Sequence, residues 1–280
     1  MIKIKNFAFQ GINGAYSEMA GKNLFPSAES LACSTFEEMF LSIKESKADV
    51  AIVPIENSRA GRVADTQRLI PESDLKIVGE YFLEVKHNLI ALPGTKISEI
   101  KRIHSHEQGI AQCRKKIINL KKEMVVAADT AGAAKKISEL KNKEDAAIAS
   151  ELASKIYGLE ILESNFQDSH NNVTRFLIMS PENNNISFND KDLITTLVFT
   201  VRSIPAALYK CLGGFASNGI NITKLESYVH PQGFDVAQFY IDFEGHPEQK
   251  SVKFALEEMK FFCKHMNILG VYKKSEFRKR

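Results

Sequence analysis

Cysteine is scarce and scattered: Cys33, Cys113, Cys211 and Cys263 are the 4 in 280 residues, and no two have the spacing of a metal-binding pair. Each lies in an apolar or helical stretch, so reduced, buried thiols are expected, and with them a cytoplasmic setting. No apolar run approaches the ~20 residues of a membrane-spanning helix. The N-terminus has no signal-peptide h-region either, so neither membrane insertion nor export is expected. No stripe of Lys and Arg interleaved with aromatics is present, and 37 basic against 34 acidic residues leave a net charge of only +3. A nucleic-acid partner is therefore not expected. The basic tail from Lys273-Lys274 to Arg278-Lys279-Arg280 is short and reads as solvated. Phosphate loops of the Gly-x-Gly-x-x-Gly or Walker type are missing. His104 and His106 lack both a His-Glu-x-x-His frame and an evident third ligand, so no metal is expected.

What remains is an ordinary globular composition, 44% apolar, in a chain long enough for two domains. Apolar runs near residues 4–9, 50–55, 77–83, 88–92, 101–104, 123–127, 145–149 and 173–179 read as strands. Helical periodicity fits about 15–23, 36–46, 107–120, 130–140 and 150–157, with Ser34 or Thr35 as N-cap of the second. Such alternation predicts βαβ units. The polar stretch Ser180-Pro181-Glu182-Asn183-Asn184-Asn185 then reads as a linker, which ends a first domain at residue 180. Residues 193–272 have a different rhythm: strand 193–201, a helix opened by Pro205 and stopped at Asn218-Gly219, strands 220–229 and 236–243 about the turn His230-Pro231-Gln232-Gly233, helix 248–265 and strand 268–272. That order, βαββαβ, is the ferredoxin-like split unit. Gly213-Gly214 inside its first helix predicts a close packing contact or a mild distortion.

Polar residues gather where strands end. Val50 to Val53 read as a buried strand that Pro54 terminates, and Glu56-Asn57-Ser58 follow at its carboxyl end, where open α/β sheets bind ligands. Gly11 and Gly14 form a strand-to-helix turn at which the backbone could approach an anion, although a plain βα turn would look the same. Ser105 and Gln112 could face the same mouth as Asn57, and Asp129 reads as an N-cap. In Asp168 to Met179, a polar loop enters an apolar strand bearing Thr174 and Arg175. An arginine beside a core strand needs an anionic partner, either a protein carboxylate or a ligand.

These segments resemble the prephenate dehydratase family over nearly the whole chain. The matching pieces are Gly11-x-x-Gly14-x-Tyr16-Ser17, Pro54-Ile55-Glu56-Asn57-Ser58-x-x-Gly61-x-Val63, Ser105-His106-x-Gln108 with Gln112, and Thr174-Arg175-Phe176. The resemblance implies an α/β fold: a two-lobed, type II periplasmic-binding-protein-like catalytic domain followed by a ferredoxin-like ACT domain. It implies conversion of prephenate to phenylpyruvate without a cofactor. Thr174 would be the catalytic hydroxyl, with Asn57, Ser58, Ser105, Gln112, Thr130, Arg175 and Phe176 holding the substrate. Pro205 to Leu208 and Asn218 to Ser227 resemble the ACT domain, which in this family binds L-phenylalanine at a subunit interface. Leu208, Asn218, Gly219, Asn221, Glu226 and Ser227 would form that site, in a homodimer or homotetramer. The chain departs from the family's Glu-Ser-Arg-Pro at Glu226-Ser227-Tyr228-Val229, so the arginine is missing. Competing expectations are an arogenate dehydratase, a non-enzymatic amino-acid sensor and a secreted solute-binding protein.

Overall fold

The computed structural model describes residues 4–230 and 233–279. Pro231 and Gln232 of the expected turn, and Arg280 of the basic tail, lie outside the described residues. Its contacts divide the chain into two compact units, residues 1–69 with 81–176 and residues 70–80 with 177–280.

The chain begins with β1 (Asn6–Gln10), α1 (Tyr16–Leu24), β2 (Glu29–Cys33), α2 (Phe36–Lys44), β3 (Val50–Asn57), β4 (Gly61–Arg62), α3 (Ala64–Glu72) and β5 (Lys76–Glu84). It continues with β6 (Asn88–Ala91), β7 (Arg102–Ser105), α4 (Glu107–Gln112), α5 (Arg114–Asn119), β8 (Glu123–Val126), α6 (Thr130–Leu140), β9 (Asp145–Ala149), α7 (Glu151–Ile156) and β10 (Glu160–Glu163). β11 (Val173–Ser180) then returns to the first sheet, whose order is β2-β1-β3-β11-β5 with β4 paired to β3. The second sheet runs β10-β6-β9-β7-β8. Two α/β lobes result, and the chain passes between them twice, before β6 and after β10.

Burial on both faces explains the unbroken apolar strands. Along β9, Ala146 and Ile148 pack with Leu89, Ile103 and Ile117 on one side, while Ala147 and Ala149 pack with Ala133, Ala134 and Ile137 of α6 on the other. Thr35 caps α2 by accepting the Glu38 amide, and Asp129 caps α6 through the Gly132 amide.

Several boundaries differ from expectation. β3 passes through Pro54 to Asn57. The last β1 partner of β3 is Ile52, so the proline falls beyond that ladder and removes no donor from it. The expected helix 107–120 is two helices, broken at Cys113 where the backbone leaves the helical region (φ −114°, ψ 9°). β2, β4, α3 and β10 were not expected: the strands are short, and α3 is polar and carries Pro71.

The other unit contains β12 (Leu193–Val201), α8 (Ala207–Ser217), β13 (Ile222–His230), β14 (Gly233–Glu244), α9 (Lys250–Phe262) and β15 (Cys263–Lys273), with sheet order β13-β14-β12-β15. This is the expected ferredoxin-like order. Pro205 lies in the turn before α8, and Ala206 takes the N-cap with φ +57°. One sheet face carries Leu197, Phe199, Phe239, Ile241 and Phe243 against Phe215 of α8 and Val252, Leu256 and Met259 of α9. On the opposite face Thr196 Oγ1 donates to Asp242 Oδ1 at 2.5 Å and lies 2.8 Å from Tyr272 Oη. Arg278 holds Glu80 with two hydrogen bonds of 2.7 and 3.0 Å, which places residues 70–80 with this unit.

Candidate active site

Asn57 ends β3 beside the start of β11. Its Oδ1 accepts the amides of Arg59 and Ala60, each at 2.9 Å, so the tight loop after β3 fixes which way the side-chain amide points. Its Nδ2 then donates to Asn172 Oδ1 at 2.8 Å and to Thr174 Oγ1 at 2.9 Å. Ser58 faces elsewhere: its hydroxyl donates to the Asn171 carbonyl and accepts the Val173 amide, both at 3.0 Å, and so stitches the loop to β11.

Alternation along β11 sorts the next residues. Thr174 and Phe176 line a cleft of about 580 Å³ between the two lobes. Arg175 points to the other face. It is 1% exposed, with Nη1 3.1 Å from Glu56 Oε1 and its guanidinium 6.0 Å from the centre of the Phe82 ring. The arginine expected at the mouth is thus held by a protein carboxylate.

The second lobe supplies the facing wall through α4 and α6: His106, Gln108, Gly109, Gln112, Asp129 and Thr130 line the cleft. Ser105 does not line it. Its fully buried hydroxyl donates to the Ile148 carbonyl at 2.8 Å, directly behind Gly109. Arg62, at the end of β4, is the cationic side chain among the described lining residues.

Of the two readings of the turn at Gly11 and Gly14, the plain βα turn is found: the Gly11 amide donates to the Cys33 carbonyl at 2.8 Å. The Gly14 amide donates to Glu18 Oε2 at 2.6 Å, and its carbonyl accepts the Ser150 hydroxyl at 2.6 Å. With φ +93° and Ala153 backbone within 2.8 Å of any added Cβ, Gly14 lets α1 meet α7 closely.

Two participants escaped the sequence reading. Asn172 Nδ2 donates to Gln112 Oε1 at 2.5 Å, and His87 Nε2 lies 2.9 Å from the same oxygen. His87 sits on the crossing between β5 and β6, where nothing in a lone polar residue announces its role. Its ring is 2.8 Å from the Tyr16 hydroxyl, and burial lowers its pKa below the ordinary histidine value while the Gln112 contact opposes the shift. Burial raises the Tyr16 phenol well above its usual range. The structure therefore brings Asn57, Gln112, Thr130, Thr174 and Phe176 to one cavity, and places Ser58, Ser105 and Arg175 outside it.

In the ferredoxin-like unit Leu208 packs half-buried on the core. Asn218 caps α8 through a 2.8 Å bond to the Gly214 carbonyl, Gly219 follows with φ +65°, and the Asn221 carbonyl accepts the Glu244 amide at 2.9 Å. Glu226 lies 2.9 Å from Lys224 Nζ, and Ser227 pairs with Phe239 along the ladder. Tyr228 stands where the sequence lacks the arginine. Its phenol is buried without a hydrogen-bond partner among the described residues, and burial raises its pKa.

A family model described as prephenate dehydratase matches residues 7–184. A bifunctional N-acyl-homoserine lactone acylase/prephenate dehydratase of Komagataeibacter europaeus is 44% identical over 273 residues, 98% of this chain and 97% of its own length. Arogenate dehydratase 2 of Petunia hybrida is 37% identical over 279 residues, 95% of this chain and 71% of its own. The crystal structure of a prephenate dehydratase from Arthrobacter aurescens in complex with L-Phe matches with a TM-score of 0.86 at 28% identity, covering 96% of this chain and 90% of that one. Sequence, family model and fold agree, and the chain belongs to the prephenate dehydratase family of hydro-lyases.

Proposed function

We propose that the cleft converts prephenate to phenylpyruvate in phenylalanine biosynthesis. The substrate dianion takes up one proton and yields the phenylpyruvate anion, carbon dioxide and water. The ring carboxylate leaves as carbon dioxide, its bonding electrons complete the aromatic ring, and the ring hydroxyl departs with the added proton. Aromatisation supplies the driving force, so the protein has to position the substrate and protonate the leaving oxygen.

The observation that carries this reading is the bond from Asn57 Nδ2 to Thr174 Oγ1. It occupies a lone pair of the hydroxyl, and the Thr174 proton remains as a donor on a side chain that faces the cleft. Arg62, Gln108 and Thr130 offer charge and hydrogen bonds to the carboxylates, and Arg175 acts by holding Glu56. Thr174→Ala is expected to fold normally and to lose turnover by about 10²–10⁴-fold, with Thr174→Ser retaining most of it. Near-normal turnover of prephenate by purified Thr174→Ala removes the assignment.

Arogenate is the runner-up substrate, since the Petunia relative is named for it and Asp65 and Asp129 line the cleft, where an ammonium could find a carboxylate. Comparing kcat/KM for the two substrates decides between them. Acylase activity, named for the Komagataeibacter relative, is less well served. Acyl transfer calls for a hydroxyl or thiol activated by a base; the lining Ser17, Thr130 and Thr174 hydroxyls have no hydrogen bond to a histidine among the described residues, and the Tyr16 phenol, which does meet His87, is held protonated by burial.

The ferredoxin-like unit is read as an ACT domain that binds L-phenylalanine as end-product effector, which the L-Phe complex of the Arthrobacter protein supports. Leu208, Asn218, Gly219, Asn221, Glu226 and Ser227 remain its proposed site, in a homodimer or homotetramer. The four buried free cysteines favour a reducing, cytoplasmic setting.

A further inference from the structure

We propose that His87 is a positioning residue for the dehydration step: its tautomer sets the direction of a chain of side-chain amides that ends at Thr174. The proposal rests on the dehydratase reading of the cleft. The chain runs from Tyr16 to His87, Gln112, Asn172, Asn57 and Thr174, with successive contacts of 2.8, 2.9, 2.5, 2.8 and 2.9 Å.

Each amide in such a chain has one oxygen end and one nitrogen end, so turning one member forces the next to turn. With Nε2–H on His87, Gln112 presents oxygen to both His87 and Asn172. Asn172 then donates to Gln112 and accepts from Asn57, and Asn57 donates to Thr174. The hydroxyl proton of Thr174 stays available to the substrate. With the proton on Nδ1 instead, Nε2 becomes an acceptor and Gln112 must offer nitrogen. Asn172 turns in response, Asn57 presents its oxygen, and the Thr174 proton is spent on Asn57. That arrangement also turns an Asn57 nitrogen toward the amides of Arg59 and Ala60, which now donate to its oxygen. The loop amides at one end and the imidazole at the other therefore enforce one polarity.

The amides of Arg59 and Ala60 hold that tautomer from the far end of the chain, and the contacts of the ring itself accommodate it. The Tyr16 hydroxyl lies 2.8 Å from Nδ1 and 2.9 Å from the Lys86 carbonyl, so with the ring proton on Nε2 its single proton is shared between these two acceptors, and the two rings meet edge-on at 79°. The His87 amide donates to Gln167 Oε1 at 2.9 Å, and its carbonyl accepts the Phe166 amide at 2.6 Å, so both crossings between the lobes clamp this residue. His87 is 4% exposed, which favours a neutral ring with both nitrogens engaged. Tyr16 belongs to the first lobe and Gln112 to the second. The imidazole thus ties the two lobes together as well as ordering the amides.

The test has two arms on the full chain. Long-range ¹H–¹⁵N spectra of histidine-labelled wild-type protein at pH 7 are expected to show His87 neutral with the proton on Nε2; an Nδ1–H tautomer or an imidazolium overturns the proposal. In the kinetic arm, His87→Phe is expected to lower kcat by about ten- to a hundredfold while KM stays within about threefold. His87→Gln, whose amide N–H can reach Gln112, recovers most of that loss. Once Gln112→Ala is present, His87→Phe costs almost nothing further. Full multiplication of the two losses, or a loss of thermal stability with kcat unchanged, would show a merely structural histidine. Wild-type protein inert toward prephenate and arogenate would count against the dehydratase reading, whereas the tautomer measurement decides this proposal without turnover.

Discussion

Thr174 and Arg175 are adjacent in the chain and meet opposite surroundings, because a strand sends successive side chains to opposite faces. One hydroxyl receives the Asn57 amide at 2.9 Å in the cleft, and the guanidinium beside it lies against Glu56 at 3.1 Å in the interior. The motif makes both look functional; the pleat separates them. Arg175→Met is accordingly expected to act on stability. Removing one partner of a buried pair costs about 3–5 kcal/mol when the other partner is fully buried. Glu56 keeps 34% of its side-chain surface, so a loss nearer ~2 kcal/mol is expected on that basis. Urea unfolding should show that loss, with KM for prephenate within about twofold of wild type because a group outside the cleft adds nothing to substrate binding. A large rise in KM with unchanged stability would return Arg175 to the substrate. Asn57, Gln112 and Thr174 were legible as site residues from their types at strand and helix ends. His87 and Asn172 were not, since their importance lies in partners 25 and 60 residues or more away, which no local pattern encodes.

At the scale of elements, period and punctuation carried most of the information. α6 and β9 occupy their expected ranges, and β12 runs over 193–201 as anticipated, because long apolar stretches with clear caps leave little choice. The misses are elements whose local signal is weak. β2 and β10 are short edge strands of their sheets, and α3 is a polar helix with a proline near its end. The glycine pair in α8 shows how an element-level ambiguity is resolved by packing. A Cβ on Gly214 would lie 3.0 Å from the Ala255 backbone of α9, whereas one on Gly213 meets nothing within 4 Å. Gly213→Ala is therefore expected to stabilise the protein by about 0.5–1 kcal/mol through helix propensity. Gly214→Ala should destabilise it by about 1–3 kcal/mol by pushing the two helices apart. Denaturant midpoints of the two variants check the pair, and equal shifts would refute the packing argument.

For the whole molecule, the division into units cuts through α3: residues 64–69 fall in one unit and residues 70–72 in the other. The start of that helix, Ala64 and Asp65, lines the cleft. On the ACT reading, L-phenylalanine should change turnover by about fivefold or more, within the usual range of allosteric coupling. An assay of phenylpyruvate formation with added L-phenylalanine, paired with sedimentation velocity, checks this; no change in rate or in assembly size would remove the regulatory reading. The amino-acid sequence by itself determined the alternation of strands and helices, the βαββαβ order of the second unit and the residue types available for dehydration, because these follow from periodicity, turn chemistry and side-chain functional groups along short stretches of chain. Only the tertiary structure decided that Thr174 faces the cleft while Arg175 is buried against Glu56, that Gly14 serves packing instead of an anion, and that His87 closes the amide chain. Those outcomes depend on which distant segments come within hydrogen-bonding distance, and that is a property of the folded chain alone.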